Sequence, residues 1–387
     1  MPNFVPPGVF VEETGGGAKP IAGVAISTAA FIGVSQRGSY RARLVTSLAE
    51  FERSYGAVQP VARSYLGRAV HGFFANGGRR AWIARVAATR GKFTAVSFIG
   101  ETPTGSRFAR GLTALGEIDE MLLVAAPDLS HPRMEAAERA RLRAALVAQA
   151  QTRRDRVVLL DAPSGDRGLG KDDPAFQTLD SSYAAVYGPF LSVAQSDGTS
   201  ALLPPSGHVA GVIARIDEER GVHKAPAGVT IVDALGLEFA VTSGEQDALT
   251  AAGFNAVREL PGRGLQIWGV RLRTSDPEWR YLNIRRLAIF LERSIAKGLA
   301  WVVFEPNDEP LWTRVRGLVE DFLLESWRAG ALLGARPENG FFVRCDRSTM
   351  TQAEIDAGRL ICVIGIAPLR PAEFVVIRIS VCRHRDP

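Results

Sequence analysis

Between residues 28 and 273 the chain repeats one pattern: a short apolar run without polar alternation, then a stretch with helical spacing. The apolar runs fall at 29–34, 81–86, 121–125, 157–160 and 265–270. A strand that is apolar at successive positions has to be covered on both faces, and helices between such strands supply the cover. Two of those helices are explicit. Over 63–76, Leu66, Ala69, Val70, Phe73 and Phe74 share one face. Over 135–149, Leu142, Ala145, Leu146 and Gln149 recur at helical spacing. The pattern predicts an α/β domain over 21–275 with a buried, largely parallel sheet.

A smaller α+β unit is expected at 276–368. Ile284, Leu287, Ala288, Leu291 and Ile295 line one helical face, and Gly298 is placed to end that helix. The run 299–304 reads as a strand. Asp308 is a helix cap with Pro310 in the first turn, and the helix that follows, ending near Gly330, buries Val315, Leu318, Val319 and Phe322. Further strands are expected at 341–345 and 360–366. Trp268, Trp279, Trp301, Trp312 and Trp327 all lie in the last ~120 residues of the chain, as core or interface anchors.

Both ends carry strand-like sequence outside these domains. Pro6-Pro7 precedes Val9-Phe10-Val11-Glu12-Glu13, and Gly15-Gly16-Gly17 follows. At the other end Phe374 opens a run behind Pro368 and Pro371 in which Val375, Ile377, Ile379 and Val381 share one face by a two-residue period. A lone strand on a tether of Pro and Gly has nothing to bury itself against. It needs an edge to pair with, on another chain. Residues 1–20 and 369–387 are therefore read as β-arms.

Composition narrows the partners. A chain that is 46 % hydrophobic and 22 % charged builds cores and is not disordered. The net charge of +5 is a mild excess over 387 residues, without the basic and aromatic interleaving of a nucleic-acid groove. Cys345, Cys362 and Cys382 lie in apolar strand-like runs, as buried free thiols of a reducing compartment do. Residues 1–7 do not read as a secretion leader, and no apolar run reaches the ~20 residues of a membrane helix. A soluble protein made in the cytoplasm is expected, without nucleic-acid or membrane partners.

Catalytic motifs are incomplete. Residues 165–171 have the spacing of a phosphate-binding loop, but Asp172 stands where a Ser or Thr should hold Mg²⁺, and Asp173-Pro174 interrupts the helix that should face the phosphates. Ser206-Gly207-His208, with Asp161 and Asp217, offers the residue types of a hydrolase triad without the nucleophile elbow. Ser206 reads better as a helix cap. The histidines are isolated and no CxxC occurs, so no metal or other cofactor is expected.

Taken together, the motifs resemble the tail sheath proteins of contractile phage tails, R-type bacteriocins and extracellular contractile injection systems. Pro6-Pro7-Gly8-Val9-Phe10-Val11-Glu12-Glu13 is similar to the family's opening PGVYVEE. Phe31-Ile32-Gly33-Val34, Phe73-Phe74-Ala75-Asn76-Gly77-Gly78, Pro204-Pro205-Ser206-Gly207-His208-Val209-Ala210-Gly211, Gly221-Val222-His223-Lys224-Ala225-Pro226 and Trp268-Gly269-Val270-Arg271 follow in family order. The densest stretch runs from Trp279-Arg280-Tyr281 through Arg285-Arg286 to Val303-Phe304-Glu305-Pro306-Asn307-Asp308, and the match closes at Pro368 and Pro371-Ala372-Glu373-Phe374.

The resemblance implies a subtilisin-like α/β domain without protease activity, a compact C-terminal domain, and arms that pair as strands with neighbouring subunits. It implies a structural, non-enzymatic subunit whose partners are itself, in stacked rings of six, an inner tube protein, and baseplate and terminator proteins. Assembly would take place in the bacterial cytoplasm. The family grips its tube through charged contacts of the C-terminal domain, which makes Arg314, Asp321, Glu325 and Arg328 candidate tube-facing residues. The alternatives are a nucleotide-binding α/β enzyme using the 165–171 loop, and a non-contractile baseplate or shell protein.

Overall fold

The computed structural model describes residues 19–89, 91–100, 108–195 and 197–371. Its strands are β1 (Thr28–Val34), β2 (Arg43–Val45), β3 (Arg80–Val86), β4 (Leu122–Ala125), β5 (Arg156–Asp161), β6 (Ala184–Gly188), β7 (Leu191–Ala194), β8 (Ser200–Leu203), β9 (Val229–Thr230), β10 (Gly236–Leu237), β11 (Phe254–Leu260), β12 (Gly264–Trp268), β13 (Phe341–Arg344) and β14 (Val363–Ile366). Nine form one sheet in the order β2-β3-β1-β4-β5-β6-β11-β12-β9. Its central strands, from β3 to β11, run parallel. Antiparallel strands close both edges. A small sheet, β10-β7-β8, stands apart from it.

The first four apolar runs of the sequence are β1, β3, β4 and β5. Every residue of β4, β5 and β6 is buried, as strands covered on both faces must be. The fifth run became β12, in the antiparallel margin. The sheet is parallel-rich and the class is mixed α/β.

One helix pair is set by glycine. The helix Ser206–Arg220 packs on the helix Leu66–Ala75. A Cβ on Gly207 would lie 2.4 Å from the Ala69 carbonyl oxygen, and one on Gly211 would lie 2.4 Å from that of Phe73. The two backbones approach more closely than any side chain would permit.

The chain clusters into two compact units, Gly23–Arg293 with 368–371, and Ser294–Ala367 with 19–22. The division falls inside the helix Leu282–Gly298. In the second unit the helix Glu309–Arg328 begins on Asp308, whose side chain accepts the Leu311 N–H at 3.0 Å. It buries Leu311, Trp312, Val315, Val319, Phe322 and Leu323, while Leu318 is half-buried.

The run 299–304 is not the strand expected from its β-branched and aromatic residues. It is a 3₁₀ turn, Ala300–Val302, closed by Val302 N–H to the Leu299 carbonyl at 3.0 Å and followed by Glu305 N–H to the Val302 carbonyl at 3.1 Å. Leu299, Trp301 and Val302 pack inward on Leu311, Trp312 and Val315. Burying them on one side is what the tight turn achieves.

Candidate functional site

The end of β5 holds the residues that most resemble a catalytic centre, and the geometry gives each another task. Asp161 Oδ1 accepts the Ser206 N–H and Oδ2 accepts the Ser206 hydroxyl, both at 2.8 Å. Ser206 therefore does not cap its own helix; Pro205 holds the cap position, and Asp161 at the end of β5 supplies the acceptor. Burial pushes the Asp161 carboxyl up to about 7. Asp128 serves the helix Leu66–Ala75 in the same way, accepting from Tyr65 N–H at 2.6 Å, Val34 N–H at 2.8 Å and the Ser64 hydroxyl at 2.8 Å.

His208 points away from Ser206. Its Nε2 lies 3.2 Å from the Asp233 carbonyl oxygen, and its ring fills the space over Gly72. Burial drives its imidazole down to about 4, so it is neutral. The nearest acid–base pair is His71 Nδ1 with Asp233 Oδ2 at 2.7 Å. The hydrogen bond to Asp233 raises the His71 imidazole. The hydroxyl a hydrolase would need, that of Ser206, is committed to Asp161. Asp217, the other candidate acid, is buried against Arg286: Nη1 donates to Oδ1 at 2.7 Å, and Nη2 reaches both Oδ2 and the Ile26 carbonyl.

The loop with phosphate-binding spacing is already occupied by carboxylates. Asp166 Oδ1 and Oδ2 accept the N–H groups of Gly168 and Gly170, each at 2.8 Å, and Glu238 accepts that of Gly165 at 2.8 Å. Lys171 Nζ lies 2.9 Å from Asp172. A phosphate would find the donors that should cradle it already paired with negative charge. The helix that follows, Pro174–Gln177, is a single turn. Among the described residues no group of three or more His, Cys, Asp or Glu is placed to hold a metal ion.

The exposed features are more distinct. Arg314, Asp321, Glu325 and Arg328 are all exposed on the helix Glu309–Arg328. Arg314 lies over the Trp301 ring at 4.0 Å and near Glu305 at 3.9 Å, so its charge is anchored. Close by in sequence, Phe304 is fully exposed at 102 % with φ of +77°, and Val303 is 62 % exposed. A bulky aromatic residue in the left-handed region is strained. The strand-like pattern of 299–304 carries no signal of it.

β13 and β14 form a two-stranded sheet, and among the described residues they ladder only with each other. Each therefore has an outer edge that no described strand pairs with. The arm residues Val9, Phe10, Val11, Phe374, Val375, Ile377, Ile379 and Val381 lie outside the described residues. No described helix is long and apolar enough to cross a membrane.

Comparison with known proteins places this arrangement. Family models for the phage tail sheath protein central domain and the phage tail sheath C-terminal domain match residues 102–271 and 274–382. The tail sheath protein of Vibrio phage KVP40 is 24 % identical over 179 residues, covering 45 % of this chain and 26 % of that protein. The chain spans between 26 % and 48 % of the curated relatives it matches. The anti-feeding prophage helical sheath in its contracted state is 30 % identical with a TM-score of 0.79, over 97 % of this chain and 99 % of that one. A chain of the six-fold symmetrised anti-feeding prophage baseplate is 30 % identical with a TM-score of 0.76, over 98 % of this chain and all of that one.

Proposed function

Because this chain belongs to the phage tail sheath family, we propose that it is the structural subunit of a contractile sheath, polymerising around an inner tube as stacked rings of six. The observation that carries this reading is the end-to-end likeness to a helical sheath chain. The parallel sheet then serves as a subtilisin-like scaffold without protease activity. Its Ser206 hydroxyl and His208 imidazole are spent on helix packing.

In this reading the strand-like ends are donated to neighbouring copies, and the outer edges of β13 and β14 receive them. Strand addition takes its affinity from main-chain hydrogen bonds and its register from alternate side chains. Each bond contributes only about 1 kcal/mol net, so a single joint is modest. Many joints closed into one lattice hold firmly through effective concentration. The Gly and Pro residues around the arms let the bodies rotate while the arms remain paired. Contraction is the passage from a metastable extended lattice to a lower one, with the work stored at assembly. No nucleotide is consumed, in keeping with the self-occupied loop at 165–171. Assembly takes place in the bacterial cytoplasm, and the tube, baseplate and terminator proteins are the other partners.

The test is truncation. Deleting residues 1–19, or all residues after 371, should leave a folded subunit that forms no sheath by negative-stain microscopy. Tubular polymers of normal length from either truncation would refute the role given to the arms.

A further inference from the structure

β13 and β14 run antiparallel with Val343 opposite Ile364 and Arg344 opposite Val363. One further step of that register sets Cys345 opposite Cys362. Opposed residues of an antiparallel pair have Cα atoms about 4.5–5.5 Å apart. That separation falls inside the range of roughly 4.4–6.8 Å that a disulfide spans. The faces agree as well. Val343 and Cys345 are buried while Phe342 and Arg344 are exposed, and both cysteines join the cluster of Leu311, Trp312, Val315 and Met350. The strand ends are tied together, since Thr349 Oγ1 lies 2.8 Å from the Asp346 carbonyl oxygen and 2.9 Å from that of Ile361.

The two thiols are free and in hydrogen-bond contact with each other. The contact holds the Cys362 thiol below its ordinary range. The same contact, with burial added, pushes the Cys345 thiol up. Cys362 is also the more accessible, half-buried where Cys345 is buried. That greater accessibility suits Cys362 to attack first and leaves Cys345 to resolve.

We propose that Cys345 and Cys362 form a dithiol modification site that closes to an intrachain disulfide by reaction with a low-molecular-weight disulfide. The Cys362 thiolate attacks one sulfur of the oxidant R–S–S–R. It forms a mixed disulfide and releases R–S⁻, which takes up the proton Cys362 lost. Cys345 then loses its proton and attacks the Cys362 sulfur, expelling the second R–S⁻, which that proton neutralises. Two protein thiols are oxidised by two electrons and one R–S–S–R is reduced to two R–SH. The product is a covalent tie across the β13–β14 ladder. It is a property of the single subunit and does not rest on the assembly reading.

The experiment uses the full-length chain and oxidised glutathione as the probe, without denaturant during the reaction. After quenching, free thiols are alkylated with N-ethylmaleimide in denaturant, and the intact mass and peptide map are read. The expected result is a loss of two hydrogens, a fall in alkylated cysteines from three to one, and a peptide joining Cys345 to Cys362. Cys382→Ser keeps the crosslink, and Cys362→Ser abolishes it. Because the decisive map is made on the natural chain, a variant that fails to fold does not obscure the answer. A lasting glutathione adduct on Cys362 with Cys345 alkylated, a crosslink through Cys382, or three alkylated thiols would each overturn the proposal.

Discussion

Replacing Arg286 by Met removes the cation from the most deeply buried ion pair between two helices of the large unit. The side chains of Arg286 and Asp217 are 2 % and 1 % exposed. The guanidinium also donates to the Ile26 carbonyl at 2.8 Å. In Arg286→Met the carboxylate stays buried without its partner, and the Ile26 oxygen loses a donor. Leaving one member of a buried pair uncompensated costs about 3–5 kcal/mol. The double variant Arg286→Met with Asp217→Leu removes both charges and should return to within about 1–2 kcal/mol of the natural protein, because a packed apolar pair often replaces a buried ion pair at little cost. The measurement is chemical denaturation of the unassembled subunit followed by circular dichroism, with the slope against denaturant checked for constancy. Acidity gives an internal control. Burial already pushes the Asp217 carboxyl up, so the neutral form is the one a buried, unpaired site favours. Part of the loss in Arg286→Met should therefore be recovered as pH falls, and none in the double variant. A loss below about 1 kcal/mol in Arg286→Met, or a double variant as unstable as the single losses summed, would refute the reasoning.

Three further outcomes are expected. Gly211→Ala should destabilise by about 1–3 kcal/mol, since its Cβ meets the Phe73 carbonyl. Gly317→Ala, on the helix Glu309–Arg328 with open space around its Cβ, should stabilise by about 0.5–1 kcal/mol; thermal melting compares them. Asp161, with its carboxyl raised to about 7 in the fold against about 3.9 unfolded, contributes stability that is full below about pH 4. That contribution is lost as pH rises from about 4 through 7. Asp128, raised to about 6 by burial, adds a slope of its own, so unfolding free energies should fall with rising pH between about 4 and 7 more steeply in the natural chain than in Asp161→Asn. Reversing charge at Asp321 and Glu325 together should loosen the sheath from its tube in co-sedimentation, and unchanged binding would dismiss that face as the contact.

The separation between unit stability and assembly matters for reading such experiments. The buried networks at Asp161, Asp128 and Arg286 hold one subunit together, so their variants act on folding. Phe304 and Asp321 are exposed, and the outer edges of β13 and β14 pair with no described strand; all lie outside those networks. Their variants should leave folding nearly untouched and act on the polymer. Under the proposed contraction, the subunits would stay folded while the contacts between them are exchanged.

The sequence alone determined what depends on near neighbours. Apolar runs without alternation marked the buried strands, a period of 3.6 marked the helices 66–75 and 136–153, and Asp308 with Pro310 marked the start of 309–328. Each signal is complete within a few residues, so no tertiary context was needed to find it. Tertiary structure decided what depends on partners far along the chain. Asp161 takes over the cap of a helix that begins at Ser206. Arg286 reaches back to Asp217 and Ile26. The run 299–304 turns because Leu299, Trp301 and Val302 are covered from one side. Cys345 and Cys362 became neighbours once a register was fixed. A local pattern states which residues want burial or a partner, but only the folded topology supplies that partner and so settles whether a serine, an aspartate or a cysteine is structural or reactive.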